Sequence, residues 1–352
     1  MKKVICVISS LILIASLLAG CGASSAPAAT TAPTPTTAPA ATAAAETQAP
    51  ETQAAAASYK VAIVQQLDHS SLDEIRTAVA AELQSKADAA GVEITISEYN
   101  GQNDPTMLGQ IGAQVMGDSV DMIIPIATLA AQTMVTAAEG TDTPIVYAAI
   151  SDPESAGLTG IDNVTGTSDA LNTPFILDMM LAANPDVKTV GLLYSNSEAN
   201  STTPIAEAKA YLDSKGISYL EKTGNTTDEI VTAASSLVGR VDAVFTPTDN
   251  AVMAAEVAVA EILNEAGIPH YTGADSFVQA GGFTTCGVNY TELGTYTADM
   301  AFDILTGGAV PEFHVMDGGI ITVNTDTAKA LGIDYSVFST MANTVVEVTT
   351  AE

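Results

Sequence analysis

The sequence predicts an α/β protein built as two Rossmann-like lobes with parallel sheets. From Tyr59 onward, short β-branched runs alternate with Ala-rich helical stretches, the pattern of parallel strands covered by helices. That alternation runs through the chain twice, in the same order. The 352 residues also exceed what one hydrophobic core usually organises, so two units are expected once the ends are set aside.

The first series reads as strands at 60–65, 92–98, 121–126 and 144–149, with helices near 71–90, 105–117 and 129–139. The second reads as strands at 189–194, 218–221, 243–246, 270–272 and 284–288, with helices near 171–183, 202–215, 228–238 and 250–266. The repetition reaches individual residues. Lys60-Val-Ala-Ile-Val-Gln followed by Ser70-Ser-Leu-Asp-Glu parallels Thr189-Val-Gly-Leu-Leu-Tyr followed by Asn200-Ser-Thr-Thr-Pro. Asp121-Met-Ile-Ile-Pro-Ile-Ala-Thr leads through a helix to Thr143-Pro-Ile-Val-Tyr, as Asp242-Ala-Val-Phe-Thr-Pro-Thr-Asp-Asn leads to Ile268-Pro-His-Tyr. In open α/β sheets ligands bind beyond the carboxyl ends of the strands, so two matching lobes can face each other across a cleft lined by such loops.

The chain starts Met1-Lys2-Lys3, continues with an apolar run from Val4 to Leu18, and reaches Leu18-Ala19-Gly20-Cys21. An apolar run of about 15 residues falls short of the ~20 that span a bilayer, so residues 1–20 read as a removable secretory signal. The tetrapeptide resembles the bacterial lipobox, whose cysteine carries a diacylglycerol. Cys21 is therefore the expected lipidation site, holding the protein at the cell membrane on its extracytoplasmic side. Residues 21–58 are rich in Ala, Thr and Pro, and Pro27, Pro33, Pro35, Pro39 and Pro50 interrupt any helix. Such a flexible tether averages roughly 30–36 Å end to end. With Cys6 removed and Cys21 acylated, Cys286 is left alone, so no disulfide is expected. It lies in a strand-like run without a nearby histidine and reads as an inert buried thiol.

The 41 acidic residues outnumber the 11 basic ones, a balance that repels phosphate backbones and argues against nucleic acid as a partner. Catalytic patterns are poor. His69, His270 and His314 are far apart and form no triad or H-E-x-x-H motif, and there is no nucleophile elbow or Walker loop. Gly281-Gly282 and Gly318-Gly319 read as turns. Binding without a cofactor or metal is expected rather than catalysis.

Polar residues crowd the loops that open the helices: Asp68-His69-Ser70-Ser71, Ala127-Thr128, Ser151-Asp152, Ser195 to Ser201, Thr248-Asp249-Asn250 and Asp275-Ser276. Each can bind an anion or cap its helix. Ser71, Ser201 and Asp249 suit the capping role equally. A ligand carboxylate suits Thr128 and the amides after it, and Asp249, Asp152 or, more weakly, Glu198 could neutralise an ammonium. Tyr147, Tyr194 and Tyr290 lie near strand ends, where they can stack on a planar group or fill core or hinge.

The strings Asp121-Met-Ile-Ile with Ile126-Ala-Thr-Leu-Ala-Ala-Gln, Ser151-Asp-Pro-Glu-Ser-Ala-Gly-Leu, Asn163-Val-Thr-Gly-Thr-Ser-Asp, Ser197-Glu-Ala-Asn-Ser and Thr248-Asp-Asn resemble the ABC-type substrate-binding lipoproteins that include tryptophan- and tyrosine-binding members. The likeness covers about 59 to 335. It implies a type I periplasmic-binding-protein fold, a hinge of three crossings, and closure onto a small solute, often an aromatic amino acid. It also implies a monomer served by an ABC permease and ATPase. Carried over residue by residue, the ligand loops are His69 with Ser70 and Ser71, Thr128 with Ala130, Ser151 with Asp152, Ser197, Glu198, Asn200 and Ser201, Thr248 with Asp249 and Asn250, and Asp275. Ser70 and Leu129 stand where the family commonly has proline, a departure at the pocket rim. The crossings are expected before Asn163, near Asn289 and between Gly307 and Ile320, giving one lobe 59–160 plus 290–312 and the other 161–289 plus 313–352. The implied function is amino-acid capture for an ABC importer. The competing readings are a module feeding a sensor or chemoreceptor, and capture of another polar metabolite such as a sugar or nucleoside.

Overall fold

A computed structural model describes residues 57–351. The expected signal segment, Cys21 and nearly all of the tether lie outside the described residues.

The chain begins with β1 (Ser58–Gln65), α1 (Ser70–Ala90), β2 (Glu93–Asn100), α2 (Pro105–Gly117), β3 (Met122–Ile126), α3 (Thr128–Ala137), β4 (Ile145–Tyr147) and β5 (Val164–Ser168). It continues with α4 (Thr173–Ala183), β6 (Thr189–Tyr194), α5 (Thr202–Lys215), β7 (Ser218–Thr223), α6 (Thr227–Ser235), β8 (Ala243–Thr246), α7 (Asn250–Met253), α8 (Glu256–Glu265), β9 (His270–Thr272), α9 (Asp275–Gln279) and β10 (Thr284–Gly287). It ends with α10 (Tyr290–Leu305), β11 (His314–Val315), β12 (Ile320–Asn324), α11 (Thr325–Leu331) and β13 (Thr344–Val348).

The strands form two sheets, ordered β2-β1-β3-β4-β5-β11 and β7-β6-β8-β9-β10-β12-β13. All recorded pairings are parallel except β10 with β12. Both sheets therefore reverse their winding at the same place, between the first and third strands of each series: β1 and β3, then β6 and β8. The loops leaving these four strands sit at the switch points, where an open α/β sheet parts its covering helices and leaves a crevice.

The strands form where apolar residues run continuously, as expected when both faces of a sheet are covered. Val61 to Val64 of β1 and Ile123 to Ile126 of β3 are buried throughout. One hydrophobic cluster fills the space between the first sheet and α2 and α3. Another lies between the second sheet and α4 and α5, and a third joins the α1 and α10 side of the first sheet to the α6 and α8 side of the second.

The chain passes between the sheets at three places. After β5 it leaves the first sheet for α4. After β10 it returns, because α10 packs along α1. After β11, which pairs with β5, it passes to β12 through Gly318-Gly319. Strand β5 pairs with β4 and so lies in the first sheet, past residue 160 at which the sequence reading closed that lobe, and β11 lies past residue 312. The composition of β5, Val-Thr-Gly-Thr-Ser, hides it. Its glycine is required by proximity, since a Cβ at Gly166 would collide with the Tyr147 carbonyl oxygen. Gly294 does the same work in α10, where a Cβ would lie 2.7 Å from the Ile75 carbonyl oxygen of α1.

The expected helix at 250–266 is interrupted at Ala254 and Ala255. Beyond the break Glu256 is fully buried and meets His270 Nδ1 at 2.9 Å, and His270 Nε2 meets Thr246 Oγ1 at 2.8 Å. This chain of hydroxyl, imidazole and carboxylate, unseen in the sequence, lies wholly inside the second lobe, buried from solvent. Cys286 is buried and has no disulfide partner among the described residues, and burial pushes its thiol up to about 11.

Candidate functional site

The four switch-point loops meet. Gln66, after β1, donates from Nε2 to Glu198 Oε1, after β6, at 3.0 Å. Across the same junction Ser71 Oγ donates to Asp275 Oδ1 at 2.8 Å, and Thr203 Oγ1 to Asp152 Oδ2 at 2.6 Å. His69 Nε2 stands 3.3 Å from Asn250 Oδ1, and Ser151 Oγ 2.8 Å from Thr248 Oγ1. The lobes are thus closed on one another.

Between them lies a narrow cavity, closed down to about 20 Å3 of free space. Its polar wall is His69, Ser71, Thr128, Ser151, Asp169, Asn200, Thr248, Asp249, Asn250, Ser276 and Tyr290, and its apolar wall is Leu72, Ala127, Ala149, Met253, Ala274 and Phe277. Among the described residues no lysine or arginine contributes. Buried polar atoms normally have partners. Here His69 Nδ1, Asn200 Oδ1 and Ser276 Oγ have none among the described residues, and all three belong to residues of this wall.

Two backbone positions mark the same place. Ala127, before α3, has φ 74° and ψ 162°, and Ala149, beyond β4, has φ 57°. Non-glycine residues rarely adopt these conformations, which cluster at binding sites. The turn at Ala127 starts α3 without a side-chain cap. Gln66 Oε1 accepts the amide of Leu129 at 3.0 Å, and the first turn of α3 otherwise presents its positive end to the cavity wall at Thr128.

Two aspartates on the wall differ in what occupies them. Asp249 accepts the amides of Val252 at 2.9 Å and Ser195 at 2.7 Å and the Ser201 hydroxyl at 2.6 Å, so its carboxylate is spent within the second lobe. Among the described residues the side-chain partners of Asp169 are Ser151 Oγ, donating at 3.0 Å, and Tyr290 OH, donating at 3.4 Å. Burial pushes the carboxyl groups of both above the usual range, against the pull of their hydrogen bonds. A ligand cation beside Asp169 would reverse that push, and Asp169 is the acid with capacity to receive one.

Of the residues named from the sequence, His69, Ser71, Thr128, Ser151, Asn200, Thr248, Asp249 and Asn250 lie on the cavity wall. Glu198, Ser201 and Asp275 stand one layer behind, bracing Asn250, Asp249 and Ser71 respectively. Asp152 sits with Thr203 in a neighbouring hollow. Ser70 and Ser197 are exposed, and Ala130 is packed in the core. Capping follows the expected form only at Asp249. Neither Ser71 nor Ser201 caps a helix, and each hydroxyl instead binds a carboxylate. Tyr147 is core and Tyr194 binds Glu221, whereas Tyr290 reaches the cavity from the second crossing. Sequence reasoning named Ser276 only within a polar loop and did not single out Asp169, Met253 or Phe277 as ligand contacts. The Thr-Gly-Thr-Ser-Asp run ending at Asp169 was the available signal for that aspartate.

Residues 60–345 match the family model described as ABC transporter substrate binding protein. A tyrosine-binding protein of Clostridioides difficile (strain R20291) is 32% identical over 278 residues, covering 77% of this chain and 80% of that protein. The crystal structure of an ABC domain in complex with L-Trp from Streptococcus pneumonia is 29% identical, covers 82% of this chain and 100% of its own, and superposes with a TM-score of 0.76. The ligand-free, open structure of a substrate-binding protein with adhesive properties from Clostridium difficile is 32% identical over 83% of this chain and 100% of its own, with a TM-score of 0.63. The greater likeness to the ligand-bound relative agrees with the bonds that join the lobes here. With its twin switch-point sheets, three crossings and interlobe cavity, this chain has the type I periplasmic-binding-protein fold and belongs to the ABC transporter substrate-binding protein family.

Proposed function

We propose that this protein is the extracytoplasmic receptor of an ABC importer, held to the membrane through Cys21, and that it closes on a free amino acid with an aromatic side chain. The observation that carries the ligand class is Asp169, a buried carboxylate with unspent capacity on a wall to which the described residues bring no lysine or arginine. It supplies the partner for an ammonium group. The opening turn of α3 supplies a positive end for a carboxylate. A zwitterion satisfies both, and the apolar side chains of Leu72, Met253 and Phe277 take an apolar remainder. Relatives described as binding tyrosine and L-Trp support the aromatic assignment.

Ligand binding would drive closure because the two lobes contribute different parts of one site, so only the closed form offers all of them. The role is capture and release. The hydrogen-bonded polar groups on the wall serve recognition, and the Thr246, His270 and Glu256 chain is sealed away from it.

Thermal melting of the full chain against the twenty amino acids tests the reading. An aromatic amino acid is expected to raise Tm, and Asp169→Asn is expected to weaken that ligand by about 100-fold while leaving the ligand-free Tm nearly unchanged. No response to any amino acid, alongside a response to a sugar or nucleoside, would refute the ligand class. Uptake of the labelled ligand that persists in cells lacking the protein would remove the importer role, and a chain found free of membranes on cell fractionation would remove the anchor.

A further inference from the structure

We infer that His69 reads the tip of the ligand's side chain as a hydrogen-bond acceptor, so that the site selects aromatic amino acids bearing a ring donor, a phenol O–H or an indole N–H, over phenylalanine. The inference rests on the amino-acid reading above and names the specificity of that site.

A relay of hydrogen bonds points to the nitrogen of His69 that carries the proton. Gln66 Nε2 donates to Glu198 Oε1, and Asn250 Nδ2 donates to Glu198 Oε2 at 3.0 Å. With its amide nitrogen donating to Glu198, Asn250 turns Oδ1 toward His69, where it stands 3.3 Å from Nε2. An amide oxygen only accepts, so Nε2 bears the hydrogen. Nδ1 is then a lone pair. It is sealed from solvent, it has no partner among the described residues, and it belongs to a residue of the cavity wall. The ring stays neutral because burial lowers its pKa to about 4, against the opposing effects of Asn250, Asp73 and Asp68.

The bonding pattern separates the two ends of the cavity. Asp169, Ser151, Thr248 and Asn200 are linked to one another on the hinge side. His69 is linked to Asn250, and Ser71 to Asp275, at the junction of α1, α7 and α9. Leu72, Met253 and Phe277 belong to these same three helices, so the apolar wall lies at the His69 end. Ser276 adds a second unpartnered polar atom to α9. An aromatic ring placed among the apolar residues with its amino and carboxyl groups toward Asp169 and Thr128 brings its tip to His69 Nδ1. A phenol or indole satisfies that lone pair, whereas phenylalanine buries it unpaired. A site built to hydrogen-bond one substituent rejects the analogue lacking it far more strongly than an apolar pocket rejects a size change.

The test is calorimetric titration of the full chain with L-tyrosine, L-tryptophan and L-phenylalanine, repeated on His69→Phe and Ser276→Ala. Tyrosine or tryptophan is expected to bind about 10- to 100-fold more tightly than phenylalanine, with the preference falling to within about threefold in His69→Phe. Ser276→Ala should retain most of it. Because His69→Phe could also perturb folding, 15N spectra of the wild type provide an independent reading. With three histidines in the sequence the ring signals are assignable, and His69 should show an Nε2–H tautomer whose bare Nδ1 shifts on binding. Equal affinity for phenylalanine, or an Nδ1–H tautomer, overturns this inference and leaves the amino-acid reading standing. Silence toward all three compounds and the other amino acids removes both.

Discussion

The turn from β3 into α3 and the turn from β8 into α7 are counterparts in the two lobes, yet they spend their backbone amides differently. Their strands begin alike. Asp121 Oδ2 accepts the Lys60 amide at 2.7 Å, and Asp242 Oδ2 accepts the Lys188 and Thr189 amides at 2.8 and 2.9 Å, so each acid ties its strand to the first strand of its sheet. At the far ends they part. The β8 turn carries Asp249, whose carboxylate caps α7 and also binds the β6 loop. The β3 turn carries Ala127, which has no side chain to cap α3, borrows Gln66 of the β1 loop for the Leu129 amide alone, and holds a strained backbone. One turn is scaffold that satisfies itself, and the other leaves its helix end for a guest. The same repeat thus supplies rigidity on one side of the cleft and ligand affinity on the other.

Removing the scaffold's acid should break this contrast most severely. Asp249→Ala strands the Ser195 and Val252 amides and the Ser201 hydroxyl inside the protein, and is expected to cost about 4 kcal/mol of stability in denaturant unfolding. A cost below about 1 kcal/mol would show that this turn is as open as its counterpart.

Glu198 sharpens the comparison through pH. Burial, and then the neighbouring Asp249 charge, push its carboxyl up to about 7 from an ordinary 4.5. The folded state therefore holds a proton that the unfolded chain has released. Its contribution to stability is complete below about pH 4.5 and is lost as pH rises through about 7. Glu198→Gln cannot ionise, so wild type should lose about 3 kcal/mol relative to the variant between pH 4.5 and 7.5. Parallel pH profiles would place the proton elsewhere in the acidic cluster.

Much of this arrangement is legible in the sequence because parallel strands with helical crossovers leave a strong periodic pattern. The polar ends of those strands announce the loops holding His69, Thr128, Asn200 and Asn250. What the pattern does not contain is how a carboxylate is spent. Asp249 and Asp169 look equally available on paper, and only the path of the β6 loop shows that the first is consumed. Asp169 itself lies past a Gly- and Thr-rich strand at a crossing, where neither periodicity nor helix opening marks a site. Met253 and Phe277 belong to one-turn helices too short to display an apolar face, so their presence on the wall depends on tertiary packing.

The smallest expected effect tests the ligand-facing turn directly. At φ 74° and ψ 162° Ala127 occupies a region that is open essentially to glycine alone. A simple scaffold would favour glycine here, since the strain of an L-residue outweighs the extra chain entropy glycine loses on folding. Ala127→Gly should raise stability by about 1 kcal/mol. It should also weaken ligand binding severalfold, because the looser turn no longer holds the first amides of α3 in place before the ligand arrives. Stability and affinity moving in opposite directions is the signature of strain kept for binding. A variant that gains stability and binds as tightly as wild type would show that the turn's geometry serves the fold alone, making the two counterpart turns equivalent after all.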